Sequence, residues 1–132
     1  MLETNIVLSG LFWDEPPRRL LALNPSAFLR YTSTPLIEEL EDVLARRKFA
    51  ARIALSSAPI HELVETYLQS ATLVIPHHIA GIAPDPDDDV VIGTALAANA
   101  DLIVTGDAGL LSVERHHHIR IVSVTEALQA ID

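Results

Sequence analysis

Two hydrophobic periods alternate along this chain. Apolar positions at helical spacing recur at Leu36, Ile37, Leu40, Val43 and Leu44, behind a Thr34 cap and Pro35 at the first helical position. The same spacing recurs at Ile60, Leu63, Val64, Tyr67 and Leu68, in a helix opened by Ser57 and Pro59. Residues 90–98 form a helix of small side chains, and the last helix, ending near residue 131, opens on a capping box of Ser123 and Glu126. Shorter helices are expected over 6–11, capped by Thr4 or Asn5, over 18–23, ended by Pro25, and as one turn at 108–111. Between them, the apolar runs 27–32, 73–75, 102–105 and 119–122 read as buried strands. Only Met1 and Leu2 stand where a first strand belongs, against about five residues in an ordinary strand. That strand reads as cut short, by a displaced start or by real decay. Phe12 and Trp13 read as core or interface. The order β-α-α-β-α-α-β-α-β-α-β-α predicts a three-layer α/β/α sandwich with a mainly parallel sheet, one domain over residues 1–132, its first strand truncated.

Composition narrows the function without naming it. The 132 residues are 49% apolar and 20% charged, which excludes a disordered chain, and no apolar run or leader pattern suits a membrane. With no cysteine there is no disulfide or thiolate chemistry, and a cytoplasmic protein is expected. The net charge of −9 argues against nucleic-acid binding through a generally basic surface, though not against a nuclease with an acidic metal site and local phosphate contacts.

The acids cluster tellingly. Asp85, Asp87, Asp88 and Asp89 precede one helix, and Asp107 follows the next strand. In an open parallel sheet, strand C-termini and helix N-termini share the edge where ligands bind, so Asp89 and Asp107 are expected to meet there. Crowded carboxylates favour a hard divalent cation. Capping is the ordinary role of any one of these residues, and Asp85, Asp87 and Asp88 are read as caps and field-shaping charges before ligands, in a cluster that could still recruit a second ion. Glu38, Glu39, Glu41 and Asp42 read mostly as a solvated face, but Glu39, one turn into its helix, is placed to look at the same cleft. Arg46, Arg47, Lys48 and Arg52 are the one basic cluster, read first as complements to a helix dipole and otherwise as a phosphate or partner contact. His77, His78 and the run His116, His117 and His118 are read as loop residues, since no cysteine or spaced histidine pair supports zinc.

Three stretches carry a family likeness. Glu3-Thr4-Asn5 resembles the opening Asp-Thr-Asn of the PIN domain family, the fold of VapC-type toxins and other metal-dependent ribonucleases. The segment from Thr34 to Leu44, followed by Arg47-Lys48-Phe49, resembles its second-helix segment with the acid at Glu39. Asp85 to Asp107, ending Val104-Thr105-Gly106-Asp107, is similar to the stretch bearing the third and fourth acids. The likeness covers essentially the whole chain and is nearest to the subgroup regarded as toxins of type II toxin–antitoxin systems.

The resemblance implies an endoribonuclease in which Glu3, Glu39, Asp89 and Asp107 hold Mg²⁺ or Mn²⁺ and form the catalytic set. Asn5 and Thr105 would orient ligands or the scissile phosphate. It also implies an RNA substrate, an antitoxin protein as partner and a homodimer. Two departures weigh against activity: Glu3 is one methylene longer than the family's Asp, which suits magnesium's strict geometry poorly, and the first strand is short. They support an alternative, a catalytically impaired module that dimerises or binds a protein partner. A nucleotide-binding regulatory domain ranks last, because the five glycines form no phosphate loop.

Overall fold

The structure is a computed structural model describing residues 1–12, 14–23, 28–56 and 58–131. Trp13, Pro25, Ala27 and Ser57, to which the sequence assigned roles, lie outside the described residues. The helices are α1 (Thr4–Leu11), α2 (Pro17–Ala22), α3 (Thr34–Leu44), α4 (Ala50–Ser56), α5 (Ile60–Gln69), α6 (Asp89–Ala98), α7 (Ala108–Val113) and α8 (Val124–Ile131). The strands are β1 (Arg30–Thr32), β2 (Ala71–Leu73), β3 (Leu102–Val104), β4 (Arg115–His116) and β5 (Ile119–Val122).

The protein is a three-layer α/β/α arrangement with a mainly parallel sheet. β1 pairs parallel with β2, β3 pairs parallel with β5, and the short β4 adds antiparallel to β5. Leu2 makes a single parallel bridge to Val104. Around it, Val104 N–H donates to Met1 O at 2.9 Å and Glu3 N–H donates to Val104 O at 3.0 Å. These residues hold the place of a first strand beside β3 and are too few to bond β1 as well. The hydrogen-bonded sheet is consequently in two pieces.

Side-chain alternation divides the core. Leu2, Val104 and Val122 point into one cluster with Ile6 and Val7 of α1, Leu40 and Leu44 of α3, and Leu128 of α8. Met1, Ile103 and Ile121 point into the other with Val91, Ile92 and Ala95 of α6 and Leu110 of α7. Both faces of β3 are covered, which is why Leu102–Val104 is continuously apolar.

Local details depart from expectation. The α1 cap is Glu3, whose carboxylate accepts the Asn5 N–H, rather than Thr4 or Asn5. Ser33, not Thr34, precedes α3; its hydroxyl makes no cap bond but pairs with Thr94 Oγ1 of α6 at 2.8 Å. The strand expected at 73–75 is β2, two residues earlier, and Ile75 is 88% exposed. Residues 47–56 add a 3₁₀ turn (Arg47–Phe49) and α4, neither of them expected. His116 belongs to β4, and the turn to β5 puts His117 at φ 54°. The Ser123 and Glu126 capping box forms as expected, with bonds of 3.1 and 3.2 Å.

Candidate active site

The C-terminal edge of the sheet gathers acids because four chain segments turn there. Glu3 leaves the first bridge and opens α1; its Oε2 accepts Asn5 N–H and its Oε1 accepts Asn5 Nδ2–H at 3.3 Å. Glu39 reaches the same place from the second turn of α3, where Thr4 Oγ1 donates to its Oε2 at 3.1 Å. Asp107 follows β3 and caps α7, its Oδ2 accepting Leu110 N–H at 2.9 Å. Thr105, fully buried, accepts the Asp107 N–H on its hydroxyl at 3.0 Å and so fixes the turn that carries this acid.

The fourth member comes from the Asp85–Asp89 run. Asp85 caps the 3₁₀ turn Pro86–Asp88, accepting the Asp87 N–H at 3.0 Å. Asp88 stands at the α6 N-cap, yet its side chain makes no cap bond. Its carboxyl is pushed up to about 6, first by burial and then by the charges of Asp107, Asp85, Glu39 and Asp87. Glu3 is also raised, chiefly by burial, against the lowering effect of the Asn5 N–H, with Glu39, Asp88 and Asp107 adding repulsion. These mutual effects tie Glu3, Glu39, Asp88 and Asp107 into one electrostatic neighbourhood.

Asp89 is engaged elsewhere. It is 5% exposed, and its carboxylate accepts three backbone N–H groups, from Gly81 at 3.0 Å, Ile82 at 3.2 Å and Ala83 at 2.8 Å. It therefore ties the preceding loop to α6. The sequence carried a signal for this: Asp89 is three residues before the fully buried Ile92, on the inward stripe of the helix. Asp88, read from sequence as a cap, is the acid whose carboxyl is raised by the charges of Asp107 and Glu39 as well as by burial.

No cation neutralises the cleft among the described residues, whose ion pairs are Arg18–Glu15 and Arg52–Asp14. The donor set is all carboxylate oxygen, which fits a hard divalent ion and not a soft one. Among the described residues no three of these side chains already converge as a closed cage.

A family model described as PIN domain matches residues 1–109. The chain belongs to the PIN domain family. No curated protein and no solved structure matches it. PIN membership points to a nuclease-type function, to nucleic acid as the ligand and to divalent metals as the general cofactor of the fold. Among the described residues, no helix is long and apolar enough to cross a membrane.

Proposed function

We propose that the chain is a single PIN-like domain acting as a metal-dependent endoribonuclease, with Glu3, Glu39, Asp88 and Asp107 holding Mg²⁺ or Mn²⁺. The observation that carries this reading is the gathering of Glu3, Glu39 and Asp107 where α1, α3 and α7 open at the sheet's C-terminal edge, with no ion pair to any of them among the described residues and with Asp88 held above its ordinary range first by burial and then by its acidic neighbours. Asp88 takes the role expected of Asp89, because the Asp89 oxygens are already occupied by three amides. When bound, the metal lowers the pKa of a bound water and stabilises charge on the phosphate. The protein's share is positional. Thr4 holds Glu39 through its hydroxyl, Thr105 fixes the Asp107 turn, and Asn5 restrains Glu3 through both its backbone N–H and its side-chain amide. Hydrolysis forms a P–O bond from water and breaks the P–O bond to one sugar oxygen, which leaves with the water's proton; no side-chain nucleophile takes part.

A toxin role, an antitoxin partner and a homodimer in the cytoplasm extend this proposal through the likeness to VapC-type toxins. A second reading, a binding module without cleavage, draws on one observation: Glu3 curls back to cap its own helix instead of facing the cleft freely. Incubating a structured RNA pool with Mg²⁺, Mn²⁺ or EDTA separates the two. Metal-dependent cleavage lost in Asp88→Asn and in Asp107→Asn supports the nuclease. A folded wild type without cleavage under any metal supports the binding module.

A further inference from the structure

The four cations Arg46, Arg47, Lys48 and Arg52 are nearly half of the nine Lys and Arg residues in this acidic chain. They fall in one short stretch, and all four side chains are exposed. The structure adds what sequence did not show: two of the four, Lys48 and Arg52, lie over a stacked pair of aromatic rings that is half-buried against the core. Phe12, at the end of α1, stacks on Phe49 with ring centres 5.7 Å apart and planes inclined by 28°. Lys48 Nζ lies 5.1 Å from the centre of the Phe49 ring, and the Arg52 guanidinium lies 4.5 Å from that of Phe12. Asp14 holds Arg52 there through a 2.8 Å ion pair. Beside the stack, Leu11, Phe12, Arg52, Leu55, Ser56 and Leu63 line a cleft of about 530 Å³. Leu55 on its rim is 85% exposed, so α4 presents apolar surface to solvent.

We propose that this cation-and-ring platform at the ends of α1 and α3 is the docking surface for single-stranded RNA on its way to the acid cleft. Cations that can meet successive phosphates, beside aromatic and guanidinium planes on which bases stack, are the physical requirements for binding a single strand. Position fits as well. α1 begins at Thr4, beside Glu39, and α3 carries Glu39 itself; at 1.5 Å per residue both helices reach the platform within about 10–12 Å. In a chain of net charge −9, this is a local surface that draws a polyanion toward a cleft that would otherwise repel it. The proposal rests on the nuclease reading for its substrate, and its test is kept separate from cleavage.

The test measures equilibrium binding of a short labelled single-stranded RNA to the full chain in EDTA across a salt series. The proteins are wild type, the triple variant Arg46→Gln/Arg47→Gln/Lys48→Gln, and the charge-preserving Arg46→Lys/Arg47→Lys. Each phosphate contact on a single strand contributes about 0.7 to the slope of log affinity against log salt, so the triple variant is expected to bind more weakly with a slope shallower by about two. The Lys variant keeps the wild-type slope. Wild-type binding by a triple variant that melts like the parent overturns the proposal. So does a triple variant that still binds RNA but has lost binding to polyglutamate, which assigns the face to an acidic protein. Cleavage with metal alongside unchanged binding by the triple variant removes the platform and leaves the nuclease. Binding with the expected slope and no cleavage under any metal does the reverse.

Discussion

Asp88 and Asp89 are neighbours in sequence with opposite duties, and substitution by Asn should separate them. Asp89 accepts three backbone N–H groups in a nearly dry environment. A neutral amide puts a donor where an acceptor is needed, and each buried donor left unpaired costs about 1–3 kcal/mol. Because the three bonds share one side chain and the loop can relax, Asp89→Asn is expected to lose about 3 kcal/mol in all. Asp88 has the reverse sign. Its native pKa, about 6, is raised above the ordinary 3.8. The unfolded chain therefore gives up this proton first as pH rises, and the folded state loses stability through the window from about 4 to about 6. At face value that shift is worth about 3 kcal/mol; solvent screening of a half-buried group cuts it to about 1.

Urea unfolding at several pH values, in EDTA, checks both signs. Asp88→Asn should match wild type near pH 4 and exceed it by about 1 kcal/mol near pH 8. Asp89→Asn should be the weaker protein at both. Cleavage assays on the same proteins with Mg²⁺ or Mn²⁺ in place of EDTA should find Asp88→Asn folded and inactive. The assignment of the two acids is refuted if Asp88→Asn is less stable than wild type near pH 8, or if Asp89→Asn unfolds like wild type yet abolishes cleavage.

Other expectations are briefer. Mg²⁺ or Mn²⁺ at a hundredfold excess over its dissociation constant should stabilise wild type by about 2.7 kcal/mol and Asp88→Asn by much less, read as melting-temperature shifts; equal shifts would place the ion elsewhere. Thr4→Val removes the hydroxyl that holds Glu39 and should lower cleavage roughly tenfold while leaving the fold intact, so an unchanged rate would deny Thr4 a positioning role. Gly93→Ala should destabilise by about 1–3 kcal/mol despite alanine's better helix propensity, because a Cβ there meets the His77 carbonyl; a higher urea midpoint would show that loop to be freely displaced.

The layers were legible in the sequence because they follow from periodicity. The α3 and α6 stripes, the β3 and β5 runs and the Ser123 capping box each depend on near neighbours, and each forms where expected. Parts that depend on distant partners were less legible. β2 lies two residues early because its register is set by β1, with Val74 N–H donating to Thr32 O, and not by the apolar peak at Ile75. α4 escaped notice because none of its residues is buried, leaving little stripe to read. Ser33 and Thr94 bond across 61 positions, a pairing no local pattern announces.

At the site, the difficulty was one of phase. Four aspartates around a helix start all satisfy the rules for a cap, and only the direction of the buried stripe tells which carboxylate turns inward. Once Ile92 is fixed in the core, Asp89 must follow it in and needs amide donors, which Gly81, Ile82 and Ala83 supply. Asp88, one residue earlier, is left without a cap bond, and burial and the charges of Asp107 and Glu39 raise its carboxyl. The loop that satisfies one acid thus isolates its neighbour. That coupling makes a sharper demand than either residue alone: shortening the Gly81–Ala83 loop should disturb Asp89 first and reach the cleft only through the tilt of the α6 start. Stability should then fall before metal affinity does, and a loop variant that lost metal-induced stabilisation at unchanged urea midpoint would break the link.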